Sequence, residues 1–217
     1  MAKKVVIFDF DGTLVDSINF HFEIHREVFE HVGIYLGRRY FFTECNGMEP
    51  HEFYEKIIKD SRRKPELIDK VWNGMLKLKK EKGLKSIKTY PGVTNMLKEL
   101  KKNNLKLLVA SSSKRAYVKE ILDNNNITKY FDTIIGSDKF KKSKPNPAIF
   151  LEAWKNSNAD KKECIIIEDS MNGIIAARRS KIDVISLITT MNIEDLPNNV
   201  IFAEKHSDIP NLIKNIN

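Results

Sequence analysis

Asp9 and Asp11, spaced by two, follow the apolar run Val5-Val6-Ile7-Phe8. The run predicts a buried strand. In extended backbone a spacing of two points both carboxylates to one side. Two carboxylates that close repel, and each raises the other's pKa. A divalent cation removes the conflict. The pair therefore predicts a metal site with one carboxylate left free to react. Gly12 allows the chain to turn sharply away from the strand.

Three later stretches carry groups that suit a phosphorylated ligand. Leu107-Leu108-Val109-Ala110 reads as a strand ending in Ser111-Ser112-Ser113-Lys114. A hydroxyl there, with backbone N–H groups behind it, can hold a phosphate oxygen, and it can equally be a helix N-cap. Ser143-Lys144-Pro145-Asn146-Pro147 is a proline-stiffened turn that presents a lysine, a residue equally at home on a solvated surface. Cys164-Ile165-Ile166-Ile167 predicts another buried strand, ending in Glu168-Asp169, with Ser170 placed to cap the helix that follows. Alone, each stretch has a plain structural reading.

In order, they resemble one family. Asp9-Phe10-Asp11-Gly12-Thr13-Leu14-Val15-Asp16 resembles the first motif of the haloacid dehalogenase superfamily of phosphohydrolases and phosphomutases. The Ser111, Lys144 and Glu168-Asp169 stretches resemble its second, third and fourth. Lys-Pro-x-Pro before Ile-Phe, and Glu-Asp-Ser-x-x-Gly, resemble its helical-cap branch, which includes β-phosphoglucomutase and small-metabolite phosphatases. The resemblance implies an α/β fold, a doubly wound parallel sheet with an inserted α-helical cap.

The expected chemistry is phosphoryl transfer through an aspartyl phosphate. Asp9 is expected to be the nucleophile and Asp11 the general acid and base. Lys144 is expected to balance negative charge. Ser111, with Ser112, Ser113 and Lys114, is expected to hold the phosphoryl group. Mg²⁺ is expected as cofactor, on Asp9, the Asp11 carbonyl and Asp169, with Glu168 ligating or orienting a water. An acid at position 11 favours phosphate esters over carbon–halogen bonds, and serves phosphatases and mutases alike.

Cap residues bear on that choice. His21 matches a cap-hinge histidine found in both activities. Where the resembling mutase carries an arginine after a glycine, this chain reads Gly47-Met48-Glu49-Pro50. Glu49 would repel a distal phosphate. Arg38, Arg39, Arg62 and Arg63 remain as alternative cations. The expectation is a phosphatase of a small phosphorylated metabolite, with a phosphosugar mutase as the alternative.

The elements that must position these residues alternate. Helical spacing dominates between Ser17 and Lys88, and Tyr90-Pro91-Gly92 marks re-entry into a strand–helix alternation. Residues 1–16 and 89–217 are thus expected to form the catalytic core, and 17–88 a cap that selects substrate. Ligands of such sheets bind at the carboxyl ends of strands.

Of 217 residues, 41% are hydrophobic, enough for a core. The net charge is +8 and the pI about 9.3. The lysines are scattered, with no aromatic–basic stripe, so nucleic acid is not the expected partner, though the field can steer anionic substrates. Two cysteines, Cys45 and Cys164, suggest no disulfide framework. No apolar stretch reaches membrane-spanning length. The acid-bearing strand starts at the N-terminus, so a cytoplasmic protein, acting as monomer or weak dimer, is expected.

Overall fold

A computed structural model describes residues 2–41 and 50–216. The chain divides into two compact units, Met1–Asp16 with Lys88–Asn217, and Ser17–Ile87.

The first unit is built on six parallel strands: β1 (Val5–Phe8), β2 (Lys106–Ala110), β3 (Thr133–Ile135), β4 (Cys164–Glu168), β5 (Asp183–Leu187) and β6 (Ile201–Ala203). Their spatial order is β3-β2-β1-β4-β5-β6. The chain runs outward from β1 to β3, then returns to the other side of β1. That reversal opens a crevice at the carboxyl ends of β1 and β4, where doubly wound sheets bind ligands.

The central strands β1, β2 and β4 form because their apolar runs are buried on both faces. Val5, Ile7, Leu108, Ala110, Cys164 and Ile166 pack with Ile149, Phe150, Ala153, Ala176 and Ala177. Those partners lie on two helices between Ala148 and Ser157 and between Met171 and Ser180. The alternate residues Val6, Phe8, Leu107, Val109, Ile165 and Ile167 are equally buried. Each such side chain contributes about 1.5–3 kcal/mol by leaving water.

The second unit contains α1 (Ser17–Glu30), a single turn α2 (Arg38–Tyr40), α3 (Pro50–Asp60) and α4 (Leu67–Lys82). The later helices are α5 (Val93–Lys102), α6 (Arg115–Asn124), α7 (Ala148–Ser157), α8 (Met171–Ser180) and α9 (Ile209–Asn215), all in the first unit.

Phe22, Val28 and Phe29 of α1 meet Phe53, Tyr54 and Ile57 of α3 and Val71 and Met75 of α4. His25 is buried among them, its Nδ1 3.0 Å from the Tyr54 hydroxyl. Burial first, and then the charges of His21 and Lys79, push the His25 pKa down from 6.5 to about 3. Above pH 6.5 the ring is neutral in folded and unfolded chains and contributes nothing to pH dependence. Below that value only the unfolded chain takes up the proton, so stability falls as pH falls, with a limit near pH 3. Between pH 6.5 and 5 the expected loss through this ring is about 1–2 kcal/mol. Denaturant unfolding at several pH values checks it against His25→Gln, which keeps a partner for Tyr54 without titrating there. Equal pH dependence in both proteins would rule it out.

Candidate active site

β1 ends at Phe8, one residue before the first acid. Asp9 N donates to Ile167 O at 2.9 Å, which places Asp9 beside the end of β4. Glu168 is the last residue of β4, and Asp169 follows it. Oxygens of Asp9, Glu168 and Asp169 lie within 4.8 Å of one another, and all three residues are buried.

The chain returns to this point after α6 and β3. Asn146 N bonds Ser143 O at 3.0 Å to close the turn, and Arg179 of α8 donates to Pro145 O at 2.9 Å. The turn delivers Lys144 into the cluster. Its Nζ donates to Asp9 Oδ1 and, at 2.8 Å, to Glu168 Oε1. The same ammonium lies 4.6 Å from the centroid of the Phe150 ring.

If all three buried carboxylates were ionised, the one ammonium that pairs with them among the described residues would leave two negative charges uncompensated. Burial raises the Asp9 pKa well above the ordinary carboxylate value; Lys144 opposes this, while Glu168 and Asp169 add to it. Burial and then Glu168 raise Asp169 to about 7, against hydrogen bonds from Thr13 and Thr190. Burial pulls the Lys144 pKa down, but Asp9 and Glu168 outweigh it and hold the amine protonated. An all-oxygen, charge-deficient cluster of this kind fits a hard divalent cation.

Each acid is held in place. Thr13 Oγ1 donates to Asp169 Oδ1 and Thr190 Oγ1 to Asp169 Oδ2, both at 2.6 Å. Thr189 Oγ1 donates to Gly12 O at 2.6 Å. Glu168 Oε2 accepts from Ser170 N at 2.6 Å and from Ser170 Oγ at 2.9 Å. Ser170 Oγ in turn accepts from Gly173 N, capping α8. Two glycines allow the close approach. Gly12 has φ +86°, and a Cβ there would sit 2.2 Å from Asp169 Oδ2. A Cβ at Gly173 would sit 1.8 Å from Glu168 Cδ.

Asp11 is placed differently. Extended geometry does not continue to it, because the strand stops at Phe8 and the chain turns back through Gly12 N to Val15 O. Its carboxylate accepts from Ser113 Oγ at 2.6 Å and from Ser111 Oγ at 3.4 Å. The Tyr117 hydroxyl also bonds it. Ser111, buried at the end of β2, accepts from Ser113 N at 3.0 Å. Ser112 and Lys114 are exposed, and Lys114 stands at the N-cap position of α6. In the helical unit, His21 lies on α1 with its ring 5.5 Å from that of Phe20. Glu49 and Cys45 fall outside the described residues.

Sequence reasoning missed Thr190, Tyr117 and His206. Thr189-Thr190 follows an apolar strand, the same signal that singled out Ser111. His206 is a lone histidine after a short strand and has no local signature. It is buried, with Nε2 2.7 Å from Thr13 O. Burial lowers its pKa, and the bond to Thr13 opposes this.

The model of the haloacid dehalogenase-like hydrolase family matches residues 6–187. A Bacillus subtilis (strain 168) protein provisionally named phosphatase YhcW is 33% identical over 183 residues, covering 82% of this chain and 80% of its own. The phosphorylated carbohydrates phosphatase of Thermotoga maritima is 30% identical over 189 residues, covering 83% and 82%. A crystal structure of a Thermotoga maritima protein provisionally described as a beta-phosphoglucomutase is 25% identical, with TM-score 0.80 over 99% of this chain and 100% of that one.

Proposed function

This chain belongs to the haloacid dehalogenase-like hydrolase family, and on that premise we propose that it is a Mg²⁺-dependent phosphatase of a small phosphorylated metabolite, a sugar or sugar-alcohol phosphate. The observation that carries this reading is the buried Asp9–Glu168–Asp169 cluster, with Lys144 paired to Asp9 and Glu168. The names of the relatives support phosphate esters as substrates, those of carbohydrates among them.

Asp9 attacks the phosphorus, and the ester P–O bond breaks as Asp11 gives its proton to the departing oxygen. Asp11, now a carboxylate, takes a proton from water. The water oxygen attacks the same phosphorus, the bond to Asp9 Oδ breaks, and inorganic phosphate leaves. Lys144 holds Asp9 in line and offsets charge on the phosphoryl oxygens. Ser111 and the backbone N–H groups behind it orient the phosphoryl group. Asp9, Glu168, Asp169 and the Asp11 carbonyl would hold Mg²⁺. Bound there, the ion supplies a positive charge for the nucleophile and the phosphoryl oxygens. The 17–88 unit is read as the lid that selects substrate, with His21 and Glu49 as contacts.

The match to a provisional beta-phosphoglucomutase favours a mutase as the second reading. No described helix is long and apolar enough to cross a membrane. Nucleic acid and membrane are not proposed as partners; the protein is read as a cytoplasmic monomer or weak dimer.

The test is phosphate release from a panel of phosphorylated metabolites, with Mg²⁺ and with excess chelator. Release from a few sugar or sugar-alcohol phosphates, lost on chelation, is the expected result. No release with Mg²⁺ would set the phosphatase aside, and isomerisation of a sugar 1-phosphate with a bisphosphate primer would then establish the mutase.

A further inference from the structure

We propose that His206 is a positioning residue for the metal site, acting from the far edge of the sheet through the backbone of Thr13. The proposal rests on the metal-dependent reading given above.

His206 lies just beyond β6, the edge strand, and 193 residues from Thr13 in sequence. A carbonyl oxygen can only accept, so the contact at 2.7 Å assigns the proton to Nε2. The imidazole stacks on Tyr90, with ring centroids 5.6 Å apart and planes at 23°. Tyr90 N donates to Leu14 O at 3.2 Å, and the Tyr90 hydroxyl donates to Asp16 Oδ1 at 3.3 Å. His206 and Tyr90 together therefore clamp the loop that carries Asp9 away from β1.

The clamp matters because of what Thr13 does next. Thr13 is wholly buried, and its hydroxyl donates to Asp169 Oδ1. Without the bond to Thr13 O, the turn held by Leu14 N on Phe10 O at 2.9 Å loses its anchor to the sheet edge and is free to shift as a unit, drawing the Thr13 hydroxyl off that oxygen. The Asp169 carboxylate would then keep its bond from Thr190 Oγ1 at Oδ2, a hydroxyl shared with the Asp169 carbonyl oxygen 2.8 Å away. His206 thus anchors the backbone of Thr13, that backbone places the hydroxyl, and the hydroxyl holds one oxygen of a proposed ligand. A group bonded directly to a metal ligand, as Thr13 is to Asp169, typically controls metal affinity about 10–100-fold, and His206 acts on that group.

The test uses the full chain and two substitutions. His206→Phe keeps the ring stack on Tyr90 and removes the donor. His206→Gln places an amide N–H near the position of Nε2 and restores it. Mg²⁺ binding is titrated by calorimetry without substrate, alongside the Mg²⁺ dependence of phosphate release. His206→Phe is expected to weaken Mg²⁺ binding about tenfold or more, with His206→Gln much closer to wild type. At saturating Mg²⁺ the substrate KM should not move, which separates positioning from general loosening of the fold.

Wild-type Mg²⁺ affinity in His206→Phe, or equal loss in both variants, would overturn the inference. Should His206→Phe not fold, His206→Asn, whose amide falls short of Thr13, is titrated in its place with the same criteria. A wild type that binds Mg²⁺ but releases no phosphate, with binding lost in His206→Phe, would remove the phosphatase reading and leave this inference standing.

Discussion

Asp9→Asn is expected to abolish turnover while leaving the fold intact. Asn keeps the shape and the backbone N–H bond to Ile167 but presents an amide where the proposed covalent bond would form. Loss of a nucleophile of this kind lowers kcat on the order of 10⁴-fold or more. Stability should move the other way or not at all. Asp9 is one of three buried carboxylates, and its burial beside Glu168 and Asp169 already disfavours its charged form. Neutralising it relieves that repulsion, though Lys144 retains only Glu168 as an anionic partner. Phosphate release and thermal melting of the same preparation check both halves. Turnover within tenfold of wild type would refute the covalent mechanism, and a collapse of the melting transition would show that activity was lost through the fold.

Lys144→Met is expected to lower kcat by about 10²–10³-fold, the range for removal of one charge-stabilising donor. Its second signature is in stability. The Lys144 side chain is only 7% exposed and pairs with two acids whose side chains are 10% and 1% exposed. Removing one partner of such a pair destabilises by about 3 kcal/mol, because the charges left behind have neither water nor a counter-ion. Met preserves much of the apolar stem over Phe150, so the loss reports charge rather than volume. A divalent cation can replace the missing positive charge. Added Mg²⁺ should therefore raise the melting temperature of Lys144→Met by more than that of wild type. Equal shifts in both proteins would mean that ammonium and metal do not share one set of carboxylates.

Much of the core was legible because its signals are local. β1, β2 and β4 appear as short apolar runs, and their polar ends fall at Asp9, Ser111 and Glu168. Burial of both faces requires just that pattern, so the order of elements and the parallel sheet followed from it. The Ser170 cap was legible for the same reason, since it depends on a bond to a residue three positions on. The alternation rule misled at one point. A spacing of two aligns Asp9 and Asp11 only if the strand continues, and it ends at Phe8.

The sequence by itself determined the alternating architecture and the loops that carry acids, serines and a lysine, because periodicity and turn chemistry act over a few residues, and the resemblance of four motifs in order pointed to the family. Only the tertiary structure decided the strand order, the convergence of Asp9 with Glu168 and Asp169, and the insertion of Lys144 between two of them. It alone also decided that Asp11 bonds Ser113, and that Thr13, Thr190 and His206 stand behind Asp169. These depend on contacts across scores of residues, such as Thr13 to Asp169 and His206 to Thr13. The physical reason is that a buried charge or hydroxyl must find a partner wherever packing brings one. Packing is a property of the whole sheet and its covering helices, and no local spacing encodes it.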